Sequence, residues 1–384
     1  MREGEKVTSL ELFFDLVFVL ALTQCTALMV HEDSWAGVGK GLLVLAVMWW
    51  SWCGYAWLTS VVDPEEGAVR LVIFAAMAAL LVAALCVPGA FASDALLFAC
   101  AYGVVRAAHI ALFTIASRDD DALRRSVSGL AWSTAVGVGL LVLAAFASGT
   151  LRIVLWCLAI VLDTGGPYMF GIEGWKLVPE HFAERHGAII IIALGESIVA
   201  IGAGASASVD AGVVGAAVLG VVVACALWWL YFDVVAIAAE RRLVRAGAGR
   251  ERNAIARDSY SYLHFPMVAG IALIAVGMKQ TLAHVSSPLG VVTASAMLGG
   301  AAMYLLAHVA FRWRNMHTLP RHRLITALLL AAILVVELVH APAALVTLGL
   351  LALVLCVLIL YEVRRFAEPR ARLRHQLAQD APAG

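Results

Sequence analysis

The residues of this sequence able to do chemistry are ionisable side chains set into long apolar runs. The densest group lies between Glu180 and Gly202, where His181, Glu184, Arg185 and His186 lead into a mostly apolar stretch interrupted by Gly195, Glu196 and Ser197. An ionised carboxylate at the centre of a membrane span costs roughly 2.5–3.5 kcal/mol on insertion scales, so Glu196 must face a partner, a cavity or a pathway. Arg185 and Glu196 share nearly one helical face, which draws a polar stripe from the membrane surface to its middle. The chain opens on a similar design. Glu11 and Asp15 stand one helical turn apart, and Thr23 and Thr26 continue their stripe. Acids in that pattern suit a cation or proton pathway. They equally suit a structural arrangement in which Glu11 caps the first helix and Asp15 pairs with an arginine.

Arg106 is the base placed well inside a span and needs an acid; Asp163, Glu196 and Asp15 are available, with His109 close enough to share the network. The pair so formed either fixes helix packing or opens as a gate. His181, Glu184 and His186 are zinc-ligand types, but His181 and His186 project about 140° apart on a helix. No metal site and no cofactor is expected. Asp233, Glu337 and His340 lie near span ends, where acids reach water, and His264 and His308 read as hydrogen-bonded packing residues. Trp49, Trp50, Trp52, Trp57, Trp228 and Trp229 read as core and interface anchors, or as the wall of an aromatic pocket for an organic or lipid ligand.

These residues must be positioned by membrane helices. Only 14% of the 384 residues are charged and 62% are hydrophobic, whereas a soluble domain carries roughly 25% charged residues. The fold class is therefore all-α, a polytopic membrane protein. With about 20 apolar residues per crossing, twelve transmembrane helices are expected, near 10–30, 40–60, 70–87, 95–116, 127–147, 151–170, 186–204, 211–238, 262–280, 289–311, 324–340 and 343–363. The sixth is broken late by Gly165, Gly166 and Pro167, and the last two are joined by a few residues around Pro342. Lys40, Arg152 and Lys279 are the bases on one side and Arg106 is inside; the rest of the 27 basic residues fall on the other side. By the positive-inside rule both termini are cytoplasmic. The first apolar run carries two acids and ends in bulky residues, unlike a cleaved signal peptide.

The seven cysteines lie in apolar segments without CxxC spacing, which reads as small hydrophobes packed inside the bundle. The stretch 240–258 holds six arginines and is expected as a cytoplasmic loop or short helix against anionic lipid headgroups; nucleic-acid binding is not expected. Trp49-Trp50-Ser51-Trp52 has an echo in Trp228-Trp229-Leu230-Tyr231, Glu11 in Glu184, and Tyr102 with Arg106 in Tyr304 with His308. Six spans per unit give two parallel six-helix repeats, 1–170 and 171–363, followed by a polar cytoplasmic tail at 364–384.

Glu11-Leu-Phe-Phe-Asp-Leu-Val-Phe-Val19, His181-Phe-Ala-Glu-Arg-His-Gly187 and Ala193-Leu-Gly-Glu-Ser-Ile198 together resemble the bacterial low-temperature-requirement protein A family, over nearly the whole chain. The resemblance marks Glu11, Phe14, Asp15, His181, Glu184, Arg185, Gly195, Glu196 and Ser197 as signature positions. His186 departs from it, an aromatic residue, usually Phe, being the family's choice there. It implies a link to growth at low temperature and no defined reaction. Three readings stay open. The first is a protein that moves an ion, proton-coupled, or a small solute, through Glu11, Asp15, Arg106, His181, Glu184, Arg185, Glu196 and Ser197. The second is an intramembrane enzyme for a lipid or other apolar substrate, with His181 and Glu184 as acid and base. The third is a non-catalytic lipid sensor or scaffold. Oligomeric state is left open by the sequence.

Overall fold

The computed structural model describes residues 7–205 and 209–366. Arg2, Lys6 and most of the tail expected at 364–384, from 367 onward, lie outside the described residues. Within them the chain forms α1 (Ser9–Glu32), α2 (Trp35–Leu58), α3 (Gly67–Leu85), α4 (Ala95–Ala116), α5 (Asp121–Phe146), α6 (Gly149–Met169), α7 (Pro179–Gly204) and α8 (Ala211–Phe232). After α8 come α9 (Val235–Arg245), α10 (Arg250–Ile255), a π-helical segment (Ala256–Tyr262), α11 (His264–Ala283), α12 (Val291–Met316), α13 (Arg321–His340) and α14 (Ala344–Arg365). Among the described residues there is no strand, and twelve helical stretches are long and apolar enough to cross a membrane.

The helices form where the apolar runs are uninterrupted, and each ends where chain chemistry stops it. α1 ends at Asp33 and α13 at Ala341, both in the left-handed conformation. α6, in contrast, continues through Gly165, Gly166 and Pro167 to Met169. Gly166 serves close packing there, since a Cβ on it would lie 2.4 Å from Ser133 Oγ on α5. The same device joins α11 to α12, where a Cβ on Gly270 would meet the Gly300 carbonyl oxygen at 2.6 Å. Small residues that let backbones approach are the usual glue between membrane helices.

α2 and α11 are the most enclosed helices. In the first half α1 packs on α2 and α3, α3 on α4, α4 on α5, α5 on α6, and α2 on α6. In the second, α7 packs on α8 and α11, α11 on α12, α12 on α13, α13 on α14, and α8 on α14. α1 meets α7 and α11 across the centre. The outside carries exposed apolar side chains such as Leu71, Phe74, Leu328, Val335, Leu353 and Val357.

One expectation is corrected by this packing. Cys25, Cys53 and Cys86 are buried, but Cys100, Cys157, Cys225 and Cys356 are exposed on the bundle exterior; a helix only half of whose faces meet protein leaves the rest to lipid. The segment 240–258, expected as a loop or short helix, is helical in α9 and α10 on either side of a turn at 246–249. Val235, Ala239 and Leu243, four apart, are the buried stripe of α9, and Arg242 pairs with Glu251 of α10 at 2.7 Å.

Candidate functional site

The site grows from the starts of two helices. α1 opens with a reciprocal cap: Thr8 Oγ1 accepts from the Glu11 backbone N–H at 3.3 Å, and a Glu11 carboxylate oxygen accepts from the Thr8 N–H at 2.9 Å. Such a cap satisfies two donors that a helix start leaves open. α7 opens with Pro179 in its first turn, whose fixed φ suits that position. α7 thus begins earlier than the apolar run suggested, and His181, Glu184 and Arg185 sit on its first two turns.

Where α1 and α7 meet, four of the predicted residues come together. Arg185 Nη2 donates to Asp15 Oδ1 at 2.6 Å, and Nη1 donates to Glu11 Oε1 at 3.3 Å and to Thr59 Oγ1 at 3.0 Å. His181 Nε2 lies 2.9 Å from Glu11 Oε2. Trp52 Nε1 donates to Asp15 Oδ1 at 2.7 Å, and the same indole lies 5.5 Å beneath the guanidinium carbon. Glu11, Asp15 and Arg185 are at most 2% exposed. Two carboxylates therefore face one guanidinium, and the His181 imidazole is a further partner of Glu11. Both structural expectations for this pair hold: Glu11 caps its helix and Asp15 pairs with an arginine.

The second polar cluster is higher on the same two helices. Glu196 accepts from Thr23 Oγ1 at 2.5 Å and from Thr26 Oγ1 at 2.6 Å, so the Thr stripe of α1 meets the Glu of α7. Among the described residues no basic side chain is paired with this carboxylate, and Lys279 of α11 acts on it only at longer range. Between the clusters, about 12 Å apart along α1, the helix turns hold the buried apolar residues Phe18, Ala21 and Leu22 on α1 and Ile189, Ile190 and Ala193 on α7.

From residue 6 to residue 360 the sequence matches the family model described as bacterial low temperature requirement A protein (LtrA). The chain belongs to the LtrA family. A curated relative in Rhizobium meliloti (strain 1021), described as uncharacterized, is 30% identical over 323 residues, covering 81% of this chain and 78% of that protein. No solved structure matches it significantly. An LtrA chain with twelve spanning helices is an integral, multi-pass membrane protein.

The remaining LtrA site residues lie outside these two clusters. Arg106 pairs with Asp163 of α6 at 2.9 Å and donates to Thr134 of α5 at 2.6 Å, while Tyr102 donates to the other Asp163 oxygen at 2.5 Å. Of the three acids open to Arg106, Asp163 takes it, and Glu196 and Asp15 do not. Glu184 is exposed and accepts from the Val7 N–H at 3.1 Å. His181 is bonded to Glu11, so the acid–base pair of His181 with Glu184 is not assembled. Ser197 is buried and its hydroxyl has no partner. Thr59 and Trp52 were missed as site residues. Nothing in the local sequence distinguishes Thr59, and Trp52 was legible only as one of a tryptophan cluster.

His186, the departure from the family pattern, occupies an aromatic cage. Its ring lies 4.5 Å from Phe182, 4.9 Å from Trp52 and 5.2 Å from both Tyr260 and His264, centroid to centroid. Nδ1 contacts the Phe182 carbonyl at 2.8 Å, and Nε2 is buried without a partner. An unmatched buried polar atom costs about 1–3 kcal/mol. His186→Phe is therefore expected to raise thermal stability in detergent by about 1 kcal/mol after the lost backbone bond is deducted. A lower melting temperature would show that the imidazole is needed.

The tryptophans divide as their packing dictates. Trp49 and Trp52 stack in the core at 5.0 Å, while Trp228 and Trp229 are exposed on the outside of α8.

Proposed function

We propose that this LtrA protein moves an ion or small solute across the bacterial inner membrane, with proton binding and release at Glu196. The observation that carries the reading is the pairing of Glu196. Glu11, Asp15, Asp163 and Glu362 are matched to arginines, whereas Glu196, at mid-span, is held by two threonine hydroxyls. A carboxylate so placed needs a counter-charge, and a proton or a small cation supplies it. The buried apolar turns between Glu196 and the Glu11–Arg185 cluster make this conformation a closed one, so passage requires α1 and α7 to part. Ser197, adjacent to Glu196 and without a partner, adds a hydroxyl to the same level of the membrane.

The test is flux in proteoliposomes. With an internal pH dye and an imposed gradient of Na+ or K+, the wild-type protein moves protons or the cation, and Glu196→Gln abolishes the movement while the protein remains monodisperse. Flux undiminished in the variant removes Glu196 from the pathway.

The arrangement supports two six-helix repeats, because most helix pairings of the first half recur at the corresponding place in the second, the packing of α2 on α4 being an exception. An axis between α1 and α7 fits parallel repeats. Both termini lie on the cytoplasmic side in this reading, the distribution of Lys and Arg being its support. Arg245 and Arg250 are exposed at the turn between α9 and α10 and face anionic headgroups there. The family's description, low temperature requirement, supports a link between this protein and growth at low temperature.

A further inference from the structure

Three close oxygen–oxygen contacts tie Glu196 to α1. Thr23 Oγ1 lies 2.5 Å from Glu196 Oε2, Thr26 Oγ1 lies 2.6 Å from Glu196 Oε1, and Thr26 Oγ1 lies 2.9 Å from the Thr23 carbonyl oxygen. All are of hydrogen-bond length, so each needs one hydrogen between its oxygens. A hydroxyl supplies one hydrogen and a backbone carbonyl none. An ionised Glu196 accepts in both of its contacts. That uses the Thr23 and Thr26 hydrogens and leaves Thr26 Oγ1 and the Thr23 carbonyl facing each other with nothing between them. A protonated Glu196 supplies the missing hydrogen. The Thr23 hydroxyl then donates to Oε2, the acid hydroxyl on Oε1 donates to Thr26, and the Thr26 hydroxyl donates to the Thr23 carbonyl. In the acid form the Thr26 contact thus runs from Glu196 to Thr26, and every contact is filled.

The surroundings favour the same form. Glu196 is 2% exposed and Thr26 is buried beside it. Among the described residues, the titratable side chains that sense its charge are Cys25 of α1 and Lys279 of α11, the lysine only at longer range. A metal ion suits this ring less well than a proton. Hard cations hold about six or more oxygens at about 2.0–2.6 Å from their centre, which spreads neighbouring ligand oxygens wider than the 2.5 and 2.6 Å contacts at Glu196.

We propose that Glu196 is a proton-selective site: in this conformation Oε1 carries a hydrogen held by Thr26, and the ring of Thr23, Thr26 and Glu196 admits H+ but not Na+ or K+. This deepens the transport reading, in which a proton or a small cation balances Glu196, and rests on it for the bearing of the site on flux. When α1 and α7 part, water takes the proton from Oε1 and the electron pair of the broken O–H bond stays on the carboxylate. The Thr26 hydroxyl then turns from the Thr23 carbonyl to Oε1. Thr26 is the positioning residue of this exchange, because its one oxygen accepts from the acid and donates to the carboxylate.

Infrared absorption of the protein in proteoliposomes at neutral pH reads the acid directly, since a protonated carboxyl absorbs clear of carboxylate and peptide groups. Wild type minus Glu196→Gln is expected to show the band of one carboxylic acid per chain. Thr23→Val strips the donor from Oε2 and is expected to move that band to higher wavenumber. Replacing choline by Na+ or K+ at equal ionic strength is expected to leave it unchanged. Should Glu196→Gln fail to fold, dicyclohexylcarbodiimide, which modifies protonated carboxyls in apolar surroundings, is applied to the wild type. Peptide mass spectrometry is expected to find Glu196 modified about ten-fold faster than Glu11, Asp15 and Asp163, whose arginines favour the charged form, and at one rate in Na+, K+ and choline. Absence of the band, its loss in Na+ or K+, its indifference to Thr23→Val, or modification of Glu196 no faster than of the paired acids would overturn the proposal. Flux separates this from the pathway reading. With the band present, undiminished flux in Glu196→Gln keeps the proton site and removes it from the pathway; with the band absent, abolished flux keeps the pathway and removes the proton site.

Discussion

Arg185→Met should be among the most damaging single substitutions in the molecule, at about 3–5 kcal/mol, because it leaves two buried carboxylates facing each other without a cation. Glu11, Asp15 and Arg185 are at most 2% exposed, so water cannot replace the lost guanidinium without opening α1 from α7. The expected result is loss of the monodisperse peak in detergent size-exclusion chromatography and a large fall in melting temperature. Restoring the charge balance tests the cause. Asp15→Asn added to Arg185→Met should recover part of the loss, since the pair couples directly through the 2.6 Å contact. An Arg185→Met protein as stable as wild type would mean that the cluster is hydrated rather than sealed.

The second large effect belongs to Arg106 and Asp163. Arg106→Leu leaves Asp163 with the hydroxyls of Tyr102 and Thr134 and is expected to cost about 3–5 kcal/mol, whereas Arg106→Leu with Asp163→Leu should return to about wild-type stability, because a buried pair replaced as a whole is often neutral. Thermal melting of the two variants gives the answer for stability. Flux then separates the roles left open for this pair. A stable double variant with normal flux makes it a packing device for α4, α5 and α6. A stable double variant without flux makes it a gate. The second half also holds a buried pair, Arg323 of α13 with Glu362 of α14 at 2.7 and 2.9 Å.

A stripe of polar residues on one membrane helix has meaning only when its partner helix is known. Thr23 and Thr26 were legible as a continuation of the Glu11–Asp15 face, because a helix returns to the same side at fixed intervals. That the stripe of α1 faces the Arg185–Glu196 stripe of α7 was not legible, since periodicity reports which face is polar and not what it meets. The choice of Asp163 for Arg106 is of the same kind. Glu196 and Asp15 are intramembrane carboxylates like Asp163, but α4 packs on α5 and α5 on α6, and that packing brings Arg106 and Asp163 to 2.9 Å.

What the sequence by itself determined is the membrane architecture and the inventory of residues that could act. Apolar runs of spanning length set the twelve helices, because the bilayer leaves a chain no other way to satisfy its backbone, and the cost of burying charge singled out Glu11, Asp15, Arg106, Arg185 and Glu196. Tertiary structure decided the partners: His181 with Glu11 rather than Glu184, Asp15 with Arg185, Glu196 with two threonines. It also decided which tryptophans pack in the core and which face lipid. Pairing is a property of how helices pack, and packing energy is spread over many contacts distant in sequence, so no local pattern contains it.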